Sequence, residues 1–517
     1  MQARIPSASS HASLPVQTEA LEKRLQTIFG KSMDLIIEPV HIGGNKGLVC
    51  YLQAMADLKT ITDRILHPLS AASALTRNEK GTEWSTENWT KFGDQLFAGI
   101  LHEYTESEQS AVQKLLGGYT LVAIDGIPSV LLLFAEQSNK RSISEPSTQT
   151  IIKGPKESFI EDLFTNLNLL RKRIKNASLR FESFTIGKET GTGVVLAYID
   201  GIINNEILEE IRTRLHKINT NAILESATVE EFVTDKSFTP FPLVYNTERP
   251  DTVTAHLLSG KAAILVDGTP FVLTVPVIFN DFAVSSEDYY QSFFMGSFLR
   301  LIRHFAFMIS LLLPSMYVAV ISFHHELIPT PLIITILAQR EGVPFPAVVE
   351  AFLMELTFEI LREAGVRMPR AVGGTISIVG GLVIGQAAVE AGIISNAMVI
   401  VVALTAIASF VAPVYNFSNA SRLLRFVFMI IAGFMGLYGV LLGLMMMVGH
   451  LCSLRSFGIS YLSPIAPFFS ADQKDTFVRF PAWSMKKRPE TFRSPNQTKQ
   501  PNAHNPSPPS KDKVDNQ

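Results

Sequence analysis

The chain has 517 residues, enough for several domains, and its 45 Lys+Arg against 47 Asp+Glu leave a net charge of −2. That balance excludes a strongly basic nucleic-acid binder. Two cysteines, Cys50 and Cys452, are too few and too far apart for a disulfide scaffold or a thiolate metal cluster. A mean hydropathy of +0.22 is high beside a polar first 300 residues, so the apolar excess must lie further on.

In chain order, residues 1–20 are polar and Ser-rich with no apolar h-region, which reads as a disordered start without a signal peptide. From 21 onward, strand-like runs (Leu48–Leu52, Tyr119–Ile124, Val130–Phe134, Val194–Ile199, Ala262–Val266, Phe271–Val275) alternate with helical patterns at Leu58–Leu66, Ile160–Ile174 and Glu206–Ile218. The alternation predicts α/β domains. Two blocks match at identical internal spacing: Gly118 to Pro128 and Gly260 to Pro270, each with an Asp-Gly step, Asp125-Gly126 and Asp267-Gly268. Asp-Gly suits a hairpin turn because Gly accepts positive φ. Each block follows a Gly-led strand (Gly47, Gly193) and a helix. The expectation is two tandem, similar α/β subdomains, 21–140 and 150–285, joined by the polar Gln137–Thr150 segment; chance similarity of two hairpins is the alternative.

The remainder predicts a polytopic helical membrane domain over 295–455. Phe305–Phe323 is 19 residues without a charge, Ala371–Ser421 carries only Glu390, and Phe426–Gly449 is 24 uncharged residues. A hydrocarbon core of about 30 Å takes roughly 20 helical residues. The middle stretch fits two crossings divided near Gly392–Asn396, giving about four spans. Leu327–Ala338 and Pro344–Gly365 add a re-entrant or interfacial segment. Arg300, Arg303 and His304 before the first span place the N-terminal region in the cytoplasm by the positive-inside rule, and Arg455, Lys474, Arg479, Lys486, Lys487 and Arg488 place the C-terminus there too. A cytoplasmic segment 456–488 would lead to a disordered Pro-rich tail, 489–517.

Catalytic motifs fail on inspection, so no enzyme is expected. His325-Glu326 lacks the second His of a zinc-protease helix, because Pro329 stands there. Neither Gly43–Gly47 nor Gly260-Lys261-Ala262 completes a phosphate-binding loop. No metal or cofactor is expected. Candidate sites lie in the apolar half. Ser377, Gly381, Gly385 and Ala388 fall within about 80° on a helix, with Gln386 and Glu390 opposite. The carboxylate either lines an ion path or reaches water at a span's end. Glu355, Glu359 and Glu363 recur at i, i+4, i+8 and, with Arg362 and Arg367, form either a coupling surface or a solvated face. The Arg171-Lys172-Arg173 cluster reads as a solvated helix end, with contact to acidic lipid or another subunit as the alternative.

Several stretches together resemble the A subunit of the GerA-type spore germinant receptors of endospore-forming bacteria, over about 30–490. They include Glu145-Pro146, Gly154-Pro155 through Phe159-Ile160-Glu161, Leu169-Leu170-Arg171-Lys172-Arg173-Ile174, Tyr198-Ile199-Asp200-Gly201, Glu248-Arg249-Pro250-Asp251, and Glu287-Asp288-Tyr289-Tyr290. Further along come Val343-Pro344-Phe345-Pro346, Met354-Glu355 through Arg362-Glu363-Ala364-Gly365, Ser377 through Val389, and Ser456-Phe457-Gly458. Ser158 departs from the glycine usual there. The resemblance implies nutrient-triggered germination in the spore inner membrane, with a transporter-like B subunit and a lipoprotein C subunit as partners. It also implies homo-oligomerisation and cation release. A non-conducting scaffold and, further off, a solute transporter are the competing readings.

Overall fold

The computed structural model describes residues 13–76, 84–137, 145–368, 381 and 383–500, in two units. The first holds the chain to Thr234, residues 246–276 and the segment from Met485; the second holds 235–245 and 277–484.

In the first unit, strands β1 (Leu35–Ile42), β2 (Asn45–Leu52), β3 (His102–Thr105), β4 (Tyr119–Ile124) and β5 (Val130–Phe134) form one sheet in the order β1-β2-β4-β5-β3. A second sheet has β6 (Leu179–Ile186), β7 (Thr192–Ile199), β8 (Tyr245–Thr247), β9 (Ala262–Val266) and β10 (Val272–Val275) in the order β6-β7-β9-β10-β8. The order is the same in both, and the four pairings of the first sheet, like β6–β7, β7–β9 and β9–β10 in the second, are antiparallel. In β2, Leu48, Cys50 and Leu52 face one core with the Thr18–Phe29 and Glu108–Leu115 helices, while Val49 and Tyr51 face another with Ile61, Ile65 and Trp89. Both faces are covered, which is why the inner strands read as unbroken apolar runs rather than as alternation. The edge strands β1, β3 and β6 are partly exposed and mixed in character, and β8 is only three residues long, so their weak patterns escape the sequence.

The Asp-Gly steps do more than turn the chain. Gly126 and Gly268 take φ of 90° and 86°, a region costly for any residue with a Cβ. Asp125 then accepts a hydrogen bond from Thr18 N at 3.0 Å, and Asp267 one from Leu163 N at 3.4 Å. Each donor is the first residue of its subdomain's opening helix, so each aspartate caps that helix from the hairpin. The Gly126 and Gly268 amides donate in turn to the carbonyls of Val16 and Glu161.

Arg171 is not at a solvated helix end. Fully buried, it donates from Nε and Nη2 to both oxygens of Asp34, at 2.9 and 3.0 Å, and lies 4.7 Å over the Phe181 ring. Asp34 precedes β1 and Arg171 closes the Leu163–Arg173 helix, so the pair ties the two sheets' halves together, beside an Asn168-to-Ala54 bond of 2.6 Å. Order also extends past 489, where the Pro-rich composition predicts none. Phe492 is buried against Lys261 and Ser494 Oγ donates to the Ile202 carbonyl at 2.6 Å, because one aromatic ring with a place to dock outweighs a polar neighbourhood.

In the second unit a helix over Phe293–Phe323 begins twelve residues before the uncharged run, since Ser292 caps it and Arg300 and Arg303 are neutralised by partners. Shorter helices follow at Thr330–Arg340, Ala347–Arg367 and Asn396–Phe410. The last helical stretch, Tyr415–Ser453, is non-helical at Gly436 (φ 62°, ψ −145°). In a straight helix Phe428 and Gly443 would stand about 22 Å apart at 1.5 Å per residue. Instead the Phe428 ring is 3.0 Å from a Cβ built on Gly443, and Ile431 is 2.8 Å from one on Gly439. The chain therefore doubles back into a hairpin, and Phe426–Gly449 is not the single continuous span its composition predicts. Only glycine fits the bend: a Cβ at 436 would meet His324 at 2.8 Å. Both hairpin arms return to the end where Phe279 N bonds the Tyr461 carbonyl at 2.7 Å and Phe417 stacks on Phe282 and Phe307. Among the described residues two helical stretches, Phe293–Phe323 and Tyr415–Ser453, are long and apolar enough to cross a membrane.

Two predictions follow from the first unit. Arg171→Ala should destabilise it by about 3–5 kcal/mol, because Asp34 is left charged and dry, while Arg171→Leu with Asp34→Leu should recover most of the loss in thermal unfolding. Glu230 is pushed up to about 7 by burial, then by Glu225 and Glu231. Its folded value lies above its unfolded one, so its contribution is full below about pH 4.5 and fades as pH rises toward 7. The stability difference between the native chain and Glu230→Gln should therefore change by on the order of 2 kcal/mol across that window.

Candidate functional site

The second unit carries charges where the sequence around them is apolar, and the Ala347–Arg367 helix supplies most of them. Glu355 and Glu359, one turn apart, face Arg425 and Arg422, three apart on the first arm of the hairpin. Glu355 pairs with Arg425 and Glu359 with Arg422, whose Nε donates at 3.0 Å, so the helices run antiparallel with two ion pairs between them. Glu355 and Arg425 are 0% and 1% exposed. Among the described residues a single hydrogen bond joins them, and Glu355 Oε1 and Arg425 Nε and Nη2 have no hydrogen-bond partner. Glu363 does not join the stripe. It is exposed and, among the described residues, bonds only its helical neighbour Arg367, at 2.6 and 2.8 Å.

The same helix holds the Asn396–Phe410 helix at both ends. Glu350, fully buried, accepts from the backbone N of Ser395 at 2.6 Å and from its hydroxyl, and Ser395 is the N-cap of that helix. At the other end Arg362 bonds the Ser409 hydroxyl and lies 4.2 Å over the Phe410 ring. An anion sits at the N-terminus and a cation at the C-terminus, so each charge complements the helix dipole while pinning one end. The fit is mutual: Arg340 approaches Glu350 at 3.5 Å.

Of the small-residue face, Ser377 lies outside the described residues. Gly385 is buried with a Cβ position 3.5 Å from Val399, and Gly381 meets open space. Gln386 Nε2 donates to Glu390 Oε1 at 2.9 Å, and both side chains are exposed. Asp125, Gly126, Asp267 and Gly268 stand apart from this site, in the capping turns of the first unit.

A second knot gathers at the start of the Phe293–Phe323 helix. Asp288, fully buried, accepts from Arg303 at 2.7 and 2.8 Å and from Arg300 Nε at 3.4 Å. Arg300 Nη1 also reaches the Asp475 carbonyl and carboxylate at 2.7 and 3.0 Å. Arg479 donates to the carbonyls of Asp288 and Gln291 at 2.5 and 3.1 Å, and Tyr289 donates to Asp475 at 2.7 Å. This knot, Glu350, Arg422 and Arg425 were not legible as a site. Their only signal was a charge at the border of an uncharged run, where it reads as the end of a span.

Glu355→Leu or Arg425→Leu alone should cost about 3–5 kcal/mol, by leaving one buried charge unpaired, whereas the double replacement should recover most of it. Thermal unfolding of the detergent-solubilised chain, followed by size-exclusion profile, reads both.

Comparison with known proteins adds sequence evidence. The family model described as Bacillus/Clostridium GerA spore germination protein matches residues 23–491. Spore germination protein KA of Bacillus subtilis (strain 168) is 45% identical over 482 residues, 93% of this chain and 87% of that protein. Spore germination protein GerLA of Bacillus cereus is 44% identical over 390 residues, covering 75% and 79%. The crystal structure of the N-terminal domain of the A subunit of the Bacillus megaterium spore germinant receptor GerK3 is 32% identical, with a TM-score of 0.41, covering 52% of this chain and 98% of that one. This chain belongs to the GerA family of spore germination proteins.

Proposed function

We propose that this chain is the membrane subunit of a nutrient germinant receptor, and that as a homo-oligomer it conducts the cations released when germination begins. Its partners are a transporter-like B subunit and a lipoprotein C subunit in the spore inner membrane, with both chain termini on the core side. It does no catalysis in this role and takes no cofactor.

The observation that carries the reading is the Gln386–Glu390 pair. Glu390 stands two residues before Gly392, whose φ of 68° follows the end of that helix. A carboxylate there faces the negative end of the helix dipole, and among the described residues no Lys or Arg pairs with it. Val383 and Ile384, about two turns earlier on the same helix, and Ile393 after it are exposed and apolar. An exposed carboxylate in apolar surroundings is stabilised by a water-filled path and the cations in it.

Potassium and sodium efflux from liposomes carrying the purified chain tests this. Glu390→Gln should lower flux about tenfold, the change that roughly 1.4 kcal/mol in a barrier gives, without loss of assembly. Equal flux from the two proteins would remove Glu390 from the path.

A second reading, a signal-relay scaffold, draws on the Glu355–Arg425 pair. A half-satisfied buried pair is less stable than an apolar contact of the same volume, which suits a joint that changes partners. Under it the folded oligomer passes no ions. The Glu355→Gln, Glu359→Gln, Glu363→Gln chain would then assemble but fail to trigger germination.

A further inference from the structure

The start of the Phe293–Phe323 helix is turned inside out relative to a water-soluble protein. Phe294, Phe298, Leu301 and Phe305 recur at i, i+4, i+7 and i+11, one face of a helix. They are 74%, 58%, 38% and 68% exposed. Arg300 and Arg303, on the opposite face, point inward to Asp288 and Asp475. The segment after the hairpin runs alongside. Ser297 Oγ and the Arg479 backbone exchange hydrogen bonds of 3.0 Å, and the Phe477 ring lies 5.0 Å from that of His304. The large apolar side chains this segment turns outward are Ile465, Phe468, Phe477, Val478, Phe480 and Trp483, with Lys474 the exposed charge among them.

We infer that these two faces form one lipid-binding collar, with residues 465–483 lying in the headgroup–acyl boundary of the bilayer as an interfacial anchor rather than trailing into water. The inference rests on the membrane reading above. Three observations select lipid as the occupant. The apolar stripe is continuous with a helix long enough to cross a membrane. That helix, 31 residues, spans about 46 Å at 1.5 Å per residue, against a hydrocarbon core of about 30 Å, so its first three turns fall at interfacial depth. The exposed side chains are mostly aromatic, with a tryptophan among them, the composition that settles at that depth, and the charges beneath are already neutralised by one another.

Site-directed spin labelling of the full chain tests this. In a Cys452→Ser background Cys50 is buried and stays unlabelled, and single labels are placed by Phe480→Cys, Phe298→Cys, Leu441→Cys and Ile152→Cys. In phosphatidylcholine–phosphatidylglycerol vesicles, labels at 480 and 298 should collide more with oxygen than with a water-soluble nickel chelate, at a shallower depth than 441. Ile152, in the first unit, should show the reverse preference. A label at 480 that behaves like 152 while 441 stays deep would overturn the collar and leave the membrane reading intact. Protection at 480 from both probes would mean that protein covers the face, and would overturn it too. Nickel access at 441 as well would remove the membrane reading and the collar together.

Discussion

An ionised side chain among apolar helices must find an opposite charge or a hydrogen-bond donor, and the second unit is organised by that demand. Glu350, Glu355 and Asp288 are fully buried, and each lies where two or more elements converge. Glu350 receives the capped end of one helix, Glu355 an arginine from the hairpin, and Asp288 arginines from its own following helix. Apolar packing alone would let these helices slide or rotate at little cost. A buried charge that must reach its partner favours some registers over others.

The first unit solves its assembly by repetition. The order of strands, the positive-φ glycine after the aspartate and the aspartate's cap on the opening helix recur in both halves. Each half is a sheet with helical cover, and the halves meet through the buried Arg171–Asp34 pair and hydrogen bonds around it, among them Asn168 to Ala54, Phe181 N to Ser32 Oγ and Met33 N to the Phe181 carbonyl. Hydrogen bonds to both carboxylate oxygens and a ring beneath the guanidinium compensate its desolvation, which the half-satisfied Glu355–Arg425 pair lacks. Two buried pairs in one chain thus differ in character: the first reads as a fixed rivet, the second as a contact whose unmet groups leave room for rearrangement.

The apolar surface of the second unit carries the complementary message. Charges turn inward and phenylalanines outward along the same helix, the reverse of the usual pattern on a water-facing helix. Gly436 adds a constraint of its own. By reversing the chain against His324 it brings both hairpin arms back to the end where residues 277–282 and 461 meet. The glycines at 439 and 443 then pack against Ile431 and Phe428 of the same hairpin, leaving no need for another helix there.

By itself the sequence determined what depends on local pattern. Tyr119–Ile124, Val130–Phe134 and Ala262–Val266 are legible because covered strands need unbroken apolar runs, and the turns between them because Asp-Gly is one of few steps that takes positive φ. The family motifs were legible in the same way. Only the tertiary structure decided which charges meet. Glu355 and Arg425, or Arg171 and Asp34, lie far apart in the chain, and an arginine beside an apolar run has the same sequence signature whether it ends a helix in water or is buried against a carboxylate. The Gly436 reversal was hidden for a like reason. Composition records how apolar a stretch is, whereas a single residue's φ and ψ decide whether that stretch crosses once or turns back.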